Sequence, residues 1–572
     1  MPTELWTKQG KELVASGKTP WDRYPRPQMR RDHWLNLNGL WEFQAGDLYA
    51  DRFRVPFCPE SQLSNIKTHF PEGTPLCYRR NFVLPEEWKG GRVLLHIGAA
   101  DQIAEVTLNG VSLGRHEGGY ESFTFDITDI PPRPQHDPIH VLSITCYDDL
   151  NDLSFPYGKQ VKPEKRGGMW YTPVSGIWQT VWLEHVPQQY IQKLNIKNRG
   201  YSVTISAEPA MEGVIKVPGL GEFPLGSTIT PENPHLWSPE DPYLYEFTVE
   251  TAQDKVDSYF AIRSLDIQVV GDTPRLCLNG KPYFFHGLLD QGYWPDGLLT
   301  PADPSCYEED ILAMKNLGFN TLRKHIKVEP EEFYYQCDKL GMIVWQDLIN
   351  NGPYRYIRDT VIPTLGFQVR GDKGLNRPPE NRERFRQAMQ ATVAQLKNHP
   401  SICYWTIFNE GWGQFCSDEI YKEFLQLDDT RFVDTTSGWW RGHESQVDSR
   451  HIYFGQWWQL KKGDKPLVLS ECGGLTYPEE GHIFNTDDSY GYKTCKSREE
   501  LNQGLKELYL EHLLPTIQEK GLCATIYTQV SDVEDEINGL LTYDRAVCKA
   551  DETVMQEIAT ALKEAIAPVA VQ

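Results

Sequence analysis

Hydrophobic positions along this chain change their spacing between its first and second halves. Over Leu37–Phe43, Arg79–Leu84, Arg92–Ile97, Phe123–Ile127 and Ile139–Cys146 they alternate one residue in two. Such alternation predicts half-buried strands. Asn109-Gly110, set between Glu105–Leu108 and Val111–Gly114, supplies a two-residue hairpin turn that requires positive φ. With turn residues between the strands and almost no helical period, the region predicts a β jelly-roll sandwich. Residues 1–30 are polar, carry Pro20, Pro25 and Pro27, and predict an extended surface arm. The stretch Asp148–Met169, broken by Pro156, Gly158, Pro163, Gly167 and Gly168, predicts a long loop, mobile or functional. Trp170–Leu183 returns as the last strands, and residues 187–268 hold enough short strands for one immunoglobulin-like sandwich.

After Arg263 the period becomes mixed. Helices are predicted over Tyr307–Leu317 and Pro330–Leu340, ended by Gly318 and Gly341, and over Arg382–Lys397, Glu419–Leu427, Leu501–Lys520 and Thr553–Ala565. A hairpin over Leu276–Gly287 leads into a first buried strand, and further apolar runs lie at Phe319–Arg323, Met342–Trp345, the strand ending at Glu410, Phe432–Thr436, His451–Tyr453, Leu467–Ser470 and Cys523–Tyr527. Strands alternating with helices predict a (β/α)8 TIM barrel. The expected organisation is an arm and jelly roll over 1–186, an immunoglobulin-like sandwich over 187–268 and a barrel over 269–572, with no further module after the last helix.

Composition adds exclusions. The 572 residues include 79 acidic and 57 basic side chains, a net charge of −22 that repels nucleic acid and anionic membranes. No apolar run is long enough to span a bilayer, and the start lacks a basic-then-apolar leader, so a cytoplasmic location is expected. The 12 cysteines show no Cys-x-x-Cys spacing, which argues against a zinc site and for a reduced compartment. No metal and no other cofactor is expected. Aromatic residues make up 12%, with 17 Trp, a content that suits core packing and also sugar stacking.

The chemistry concentrates at two strand ends. Trp405-Thr406-Ile407-Phe408 runs into Asn409-Glu410 and then Gly411-Trp412-Gly413; Pro466-Leu467-Val468-Leu469-Ser470 runs into Glu471 and then Cys472-Gly473-Gly474. Each reads as a buried strand delivering one carboxylate to its C-terminal mouth, where barrels place catalytic groups. A pair of such carboxylates is what glycoside hydrolysis requires.

With these features the chain resembles glycoside hydrolase family 2 over nearly its whole length. The marks are Leu37-Asn38-Gly39-Leu40-Trp41, Val55-Pro56-Phe57, Leu108-Asn109-Gly110, Gly176-Ile177-Trp178-Gln179, Leu236-Trp237-Ser238-Pro239, Asn398-His399-Pro400-Ser401 with Asn409-Glu410, and Ser470-Glu471-Cys472-Gly473. The resemblance implies a retaining double displacement with Glu471 as nucleophile and Glu410 as acid/base, and Asn409 on the sugar's 2-hydroxyl. It also implies Tyr453 as a partner of Glu471, His451 on the same strand face, Arg323 as a brace, and Tyr527 as an aromatic platform. Trp440 and Trp457, each in a Trp pair with Trp439 or Trp458, are candidate pocket walls. Asp290 and Trp345-Gln346-Asp347 are candidate holders of sugar hydroxyls.

The pattern also departs from the family. His325 stands one place away from the usual histidine after the second strand, so no sugar-binding role passes to it. Trp345-Gln346-Asp347 is similar to the mannosidase branch. The Asn-x-Lys of the glucuronidase branch is missing from Asp535–Arg545, and Asp532, Glu534, Asp535 and Glu536 lie close by. A uronic acid is disfavoured on that ground, unless a lysine such as Lys162 or Lys165 substitutes. The expected activity is a β-galactosidase-like exo-β-glycosidase on neutral oligosaccharides. Alternatives are β-mannosidase, α-L-arabinofuranosidase, β-glucuronidase, or a non-catalytic carbohydrate-binding protein. The expected partner is a carbohydrate substrate, with neither nucleic acid nor membrane, and the resemblance allows a homo-oligomer.

Overall fold

The computed structural model describes residues 3–362, 371–440 and 444–566. Two antiparallel sheets form the first sandwich. One has six strands in the order Tyr49–Val55, Gly39–Ala45, Leu76–Phe82, His140–Tyr147, Ile103–Leu108 and Val111–Glu117; the other has four, Trp34–Asn36, Val181–Val186, Arg92–Ile97 and Phe123–Asp126. Their alternating inward residues, among them Trp41, Phe43, Tyr78, Leu95, Val106 and Leu142, make one core. Asn109 and Gly110 both take positive φ, 54° and 83°, as the two-residue hairpin turn demands. The second sandwich pairs a three-stranded sheet with a four-stranded one, from Lys193–Arg199 to Lys255–Phe260, around Ile205, Ile215, Phe247 and Val249.

The remainder is a parallel barrel. Its strands are β1 (Phe285–Asp290), β2 (Thr321–Lys324), β3 (Ile343–Asp347), β4 (Ile402–Asn409), β5 (Phe432–Ser437), β6 (Asp448–Ile452), β7 (Leu467–Gly473) and β8 (Leu522–Thr528). They pair in the order β5-β4-β3-β2-β1-β8-β7-β6. Among the described residues no ladder joins β5 to β6. Gln446 bridges that seam by accepting from Val433 N at 2.9 Å and donating its own N–H to Val433 O at 3.2 Å. Phe285, Trp345, Tyr404, Phe432 and Ile526 fill the barrel, and Trp345 stacks on Tyr404 at 3.9 Å. Helices Ser305–Asn316, Glu331–Leu340, Pro379–Leu396, Ser417–Leu427 and Glu552–Ile566 pack outside; Arg498–Lys520 is helical throughout, with a wider turn at Glu507–Leu513. Gly341 ends its helix at φ 74°, returning its N–H to Cys337 O.

The family-like Asn398-His399-Pro400-Ser401 segment joins the second sandwich to the barrel. Asp338 accepts from His399 Nδ1 at 2.7 Å, Ser401 N at 2.8 Å and Tyr259 OH at 2.7 Å. Asn398 exchanges two bonds with the strand Lys193–Arg199, and Arg263 donates to Pro400 O and Ile402 O at the start of β4. The motif therefore fixes the base of the strand that leads to Glu410.

The arm is not extended throughout. Lys8–Ser16 is an α-helix, capped by Thr7 Oγ1, which accepts from Gly10 N at 3.0 Å and donates to Asp296 Oδ2 at 2.6 Å. A Cβ at Gly10 would lie 2.0 Å from Asp296 Oδ2, so the close approach needs glycine. Only Gly10 and Leu13 of this helix are buried. Further on, the arm meets both sandwiches at Glu184, which is fully buried. Tyr24 OH at 2.5 Å, Arg26 Nη2 at 2.7 Å and Arg31 Nη1 at 3.2 Å all donate to it. Arg31 also grips Asp254 of the second sandwich at 2.7 Å.

Burial would raise the Glu184 carboxyl, but Arg26, His96 and Arg31 outweigh it and hold it far below its usual value. A depressed carboxylate contributes stability above its unfolded pKa and loses it as pH falls. Glu184→Ala should therefore cost about 3–5 kcal/mol in urea unfolding at neutral pH, by leaving the arginines buried and unpaired. Relative to Glu184→Gln, the wild type should lose about 1.4 kcal/mol per pH unit below pH ~4.5. Parallel pH dependences would show that Glu184 is not held ionised.

Candidate active site

Every residue of β4 is buried, and the strand ends at Asn409. Glu410 follows at φ 53°, a left-handed conformation that costs a non-glycine residue about 1–3 kcal/mol. Its N–H donates to Ser437 O at the end of β5, at 3.0 Å. Gly411, at φ 78°, lies under the Trp440 indole, where a Cβ would come within 2.2 Å. This turn aims Glu410 across the mouth. On β7, register shifts against both neighbouring strands bracket Glu471 and re-aim it inward.

The two carboxylates meet around one imidazole. One oxygen of Glu410, one of Glu471 and a ring nitrogen of His451 all lie within 4.8 Å of one another. His451 Nδ1 is 2.7 Å from Glu410 Oε1 and 3.6 Å from Glu471 Oε2, and Nε2 is 2.9 Å from Ser437 Oγ. Tyr453 OH donates to Glu471 Oε2 at 2.5 Å and lies 2.9 Å from Thr528 Oγ1. Tyr492 stacks on Tyr453 at 3.9 Å.

Beneath them sits Arg323, with no exposed surface. Its Nη1 donates to Glu471 Oε1 at 3.1 Å and Ser470 O at 3.0 Å, Nη2 to Asn409 Oδ1 at 2.8 Å, and Nε to Asp347 Oδ1 at 3.0 Å. Holding Asn409 by its oxygen leaves the amide NH2 as the donor for a ligand. Burial would raise the Glu471 carboxyl, but His451, Arg323, His325 and the Tyr453 hydroxyl bring it down to about 2. Glu471 is thus an ionised, hydrogen-bonded nucleophile candidate. Two carboxylates and an imidazole also form a donor set for a divalent cation. Here Arg323 and Tyr453 already take both oxygens of Glu471, and Glu410 takes His451 Nδ1, so the charges are compensated from within the chain.

Arg323, Asn409, Glu410, His451, Tyr453 and Glu471 therefore converge, and several other sequence candidates do not. Tyr527 is fully buried and accepts a bond from Leu475 N at 3.1 Å. Its neighbour Ile526 points into the barrel, so Tyr527 points out towards the helices and is no sugar platform. Trp457 stacks on His512 of an outer helix at 5.4 Å and is no pocket wall. Asp290 is taken by Lys324 Nζ at 2.7 Å and Gly292 N at 2.9 Å. Trp345 is barrel core, Gln346 accepts from Tyr334 OH at 2.7 Å, and Asp347 is shared by Arg323 and His325. Trp440 does border the site through Gly411, whereas Trp439 meets His451 edge-on at 5.8 Å.

Sequence reasoning missed Tyr492 and Thr528, and it missed a wall supplied by the jelly roll. Trp170, from the loop Asp148–Met169 and its following turn, meets Trp412 edge-on at 5.1 Å and Tyr354 at 5.0 Å. Trp412 Nε1 donates to Tyr157 OH at 3.2 Å. The proline and glycine punctuation marked that loop but not its partners.

Residues 270–473 match the family model described as "Glycosyl hydrolases family 2, TIM barrel domain", and residues 185–263 match "Glycosyl hydrolases family 2". Among curated proteins, the chain is 26% identical over 365 residues to a β-glucuronidase of Bacteroides fragilis, covering 58% of this chain and 49% of that one. It is 27% identical over 463 residues to a β-glucuronidase of Paenibacillus borealis, covering 71% and 72%. It is 24% identical over 434 residues to a β-galactosidase of Thermoanaerobacter pseudethanolicus, covering 69% and 53%. The matched part thus spans about half the length of two of these relatives. The structure is similar in fold to a β-D-glucuronidase of Dictyoglomus thermophilum, with a TM-score of 0.71, 19% identity, and coverage of 94% and 98%.

Removing Arg323 as Arg323→Met should cost about 3–5 kcal/mol in urea unfolding, because Asp347 and Glu471 stay buried without their shared cation. Tyr527→Phe, which strands one backbone N–H, should cost about 1–3 kcal/mol. A smaller loss at Arg323 than at Tyr527 would contradict a central role for the guanidinium.

Proposed function

This chain belongs to glycoside hydrolase family 2, and on that premise we propose that it is a retaining, exo-acting β-glycosidase. One observation carries the reading: oxygens of Glu410 and Glu471 approach within 4.8 Å, with His451 between them. Retention takes a carboxyl separation of about 5–5.5 Å, and inversion, which must seat a water, about 6.5–9.5 Å. In the first step Glu471, already ionised, attacks the anomeric carbon while Glu410 gives its proton to the departing oxygen. In the second, Glu410 takes a proton from water, which attacks the glycosyl ester and frees Glu471. Glu410 shares its Oε1 with His451 Nδ1, so the imidazole fixes the acid's orientation. Asn409 offers its amide to the sugar.

A non-catalytic sugar binder has no use for an ionised, arginine-braced carboxylate beside a second acid. Two sugars draw support from the relatives: a β-glucuronide, from the names of the B. fragilis and P. borealis proteins, and a β-galactoside, from that of T. pseudethanolicus. The galactoside expected from the sequence thus shares its place with a sugar counted there among the alternatives.

With nitrophenyl β-glycosides, Glu471→Gln should lower turnover by about 10⁴–10⁶-fold. Glu410→Gln should lower it by about 10²–10⁴-fold, and more for poor leaving groups. Azide added to Glu410→Gly should yield the β-glycosyl azide, and to Glu471→Gly the α-azide, by NMR of the products. The opposite pairing would exchange the two roles, and α-anomer as the first product of the wild type would refute retention.

A further inference from the structure

Resting on that reading, we propose that Lys159, carried by the jelly-roll loop and not by the barrel, binds a carboxylate of the substrate, so that the enzyme acts on β-hexuronides. Lys159 is 9% exposed. Its ammonium stands over the Trp170 ring, 5.7 Å from the centroid. Among the described residues no carboxylate lies within ion-pair distance of it and no acceptor takes its protons. Several other cations near the mouth are engaged. Arg323 holds Asp347 and Glu471, Lys324 holds Asp290 and Glu329, Lys327 holds Glu329, Arg166 holds Glu534 and Asp535, and Lys549 holds Asp532. An ammonium with no carboxylate within ion-pair distance is free to make a charge-assisted bond to a ligand carboxylate.

The residues before Lys159 are pinned to the barrel mouth, and Gln160 after it to the jelly roll. Tyr157 N donates to Asn350 O beyond β3, and Tyr157 OH to Gly352 O at 2.7 Å. Gly158 sits against Ile326 O beyond β2, where a Cβ would lie 3.1 Å away. Gln160 donates to Asp101 at 3.0 Å and accepts from Val174 N at 2.6 Å. The ring beneath the ammonium is itself wedged against Trp412, two residues past Glu410. The two lysines named from the sequence do not reach inward: Lys162 pairs with Glu72 at 4.0 Å, and Lys165 is exposed.

The acidic run that argued against a uronide is already compensated. Lys549 Nζ donates to Asp532 at 2.7 Å. Glu534 accepts from Thr172 N at 3.0 Å and pairs with Arg166. Asp535 accepts from Asn485 Nδ2 at 2.9 Å, and Glu536 from Tyr171 OH at 2.5 Å and Asn538 Nδ2 at 2.9 Å. Burial raises Glu536, with Lys159 among the opposing influences, and burial brings His325 down to about 4, with Lys159 adding to that fall.

The test compares nitrophenyl β-D-glucuronide and β-D-galacturonide with the matching glucoside and galactoside. The full-length wild type, Lys159→Met and Lys159→Arg are assayed, with Glu471→Gln as blank. A uronide should be the best wild-type substrate, and Lys159→Met should lower the uronide-to-neutral ratio of kcat/KM by about 10²–10³-fold, chiefly through KM. Lys159→Arg should restore part of it. A neutral glycoside as best substrate, or a ratio unchanged by Lys159→Met, overturns the proposal. Calorimetric titration of Glu471→Gln with D-glucuronate and D-galacturonate separates the two claims. Uronate binding that disappears with Lys159→Met, without turnover of any glycoside by the wild type, keeps the lysine's role and sinks the glycosidase. Turnover of neutral glycosides without uronate binding does the reverse.

Discussion

The site depends on one buried guanidinium. Arg323 has no exposed surface, yet it binds Asp347, Asn409, Glu471 and the backbone of Ser470. Those groups come from β3, β4 and β7, so a single side chain on β2 sets the relative positions of much of the mouth. Removing four acceptors from water is expensive unless each finds a partner. Arginine's planar fork supplies the partners in fixed directions, which a lysine on the same strand would not. Together with His451, the same charge keeps Glu471 ionised, and it orients the amide of Asn409. Catalytic competence and barrel integrity therefore rest on the same interactions.

Outside the barrel, the two sandwiches act on the site at opposite ends. The second sandwich holds the base of β4 through Asp338, His399 and Asn398, some distance below Glu410. The jelly roll reaches the top, where Tyr157, Lys159 and Trp170 build a wall against Trp412 and Tyr354. The arm ties both sandwiches together at Glu184. A pocket assembled from separate domains lets the barrel keep its chemistry while a loop of another domain selects the sugar.

Much of the fold was legible because its signals are local. Period-two runs, the Asn109-Gly110 turn and the helix-ending Gly341 each act within a few residues. Glu410 and Glu471 stood out because an apolar strand that stops at a carboxylate is unusual in a buried layer. What stayed hidden depends on register and on long-range partners. Whether Tyr527 or Ile526 faces inward is set by the bulged pairing of β7 and β8, which no spacing in one strand reveals. Trp457 looked like a pocket wall until its 3₁₀ turn was seen packed on His512. Tyr492 and Lys159 lie in stretches without period, so only tertiary contact marks them. The arm helix is anchored by a threonine cap and a glycine contact with Asp296, a long-range partner that its own nine residues do not reveal.

The most direct test of the central claim is to trap the covalent intermediate. The enzyme is incubated with 2-deoxy-2-fluoro-β-glycosyl fluorides of the glucurono and galacto series and digested, and the peptides are analysed by mass spectrometry. A single glycosyl adduct on the peptide carrying Glu471, absent from Glu471→Gln, is the result expected for an ionised nucleophile braced by Arg323. An adduct on Glu410, or hydrolysis of either fluoride to the inverted sugar with no adduct, would contradict it.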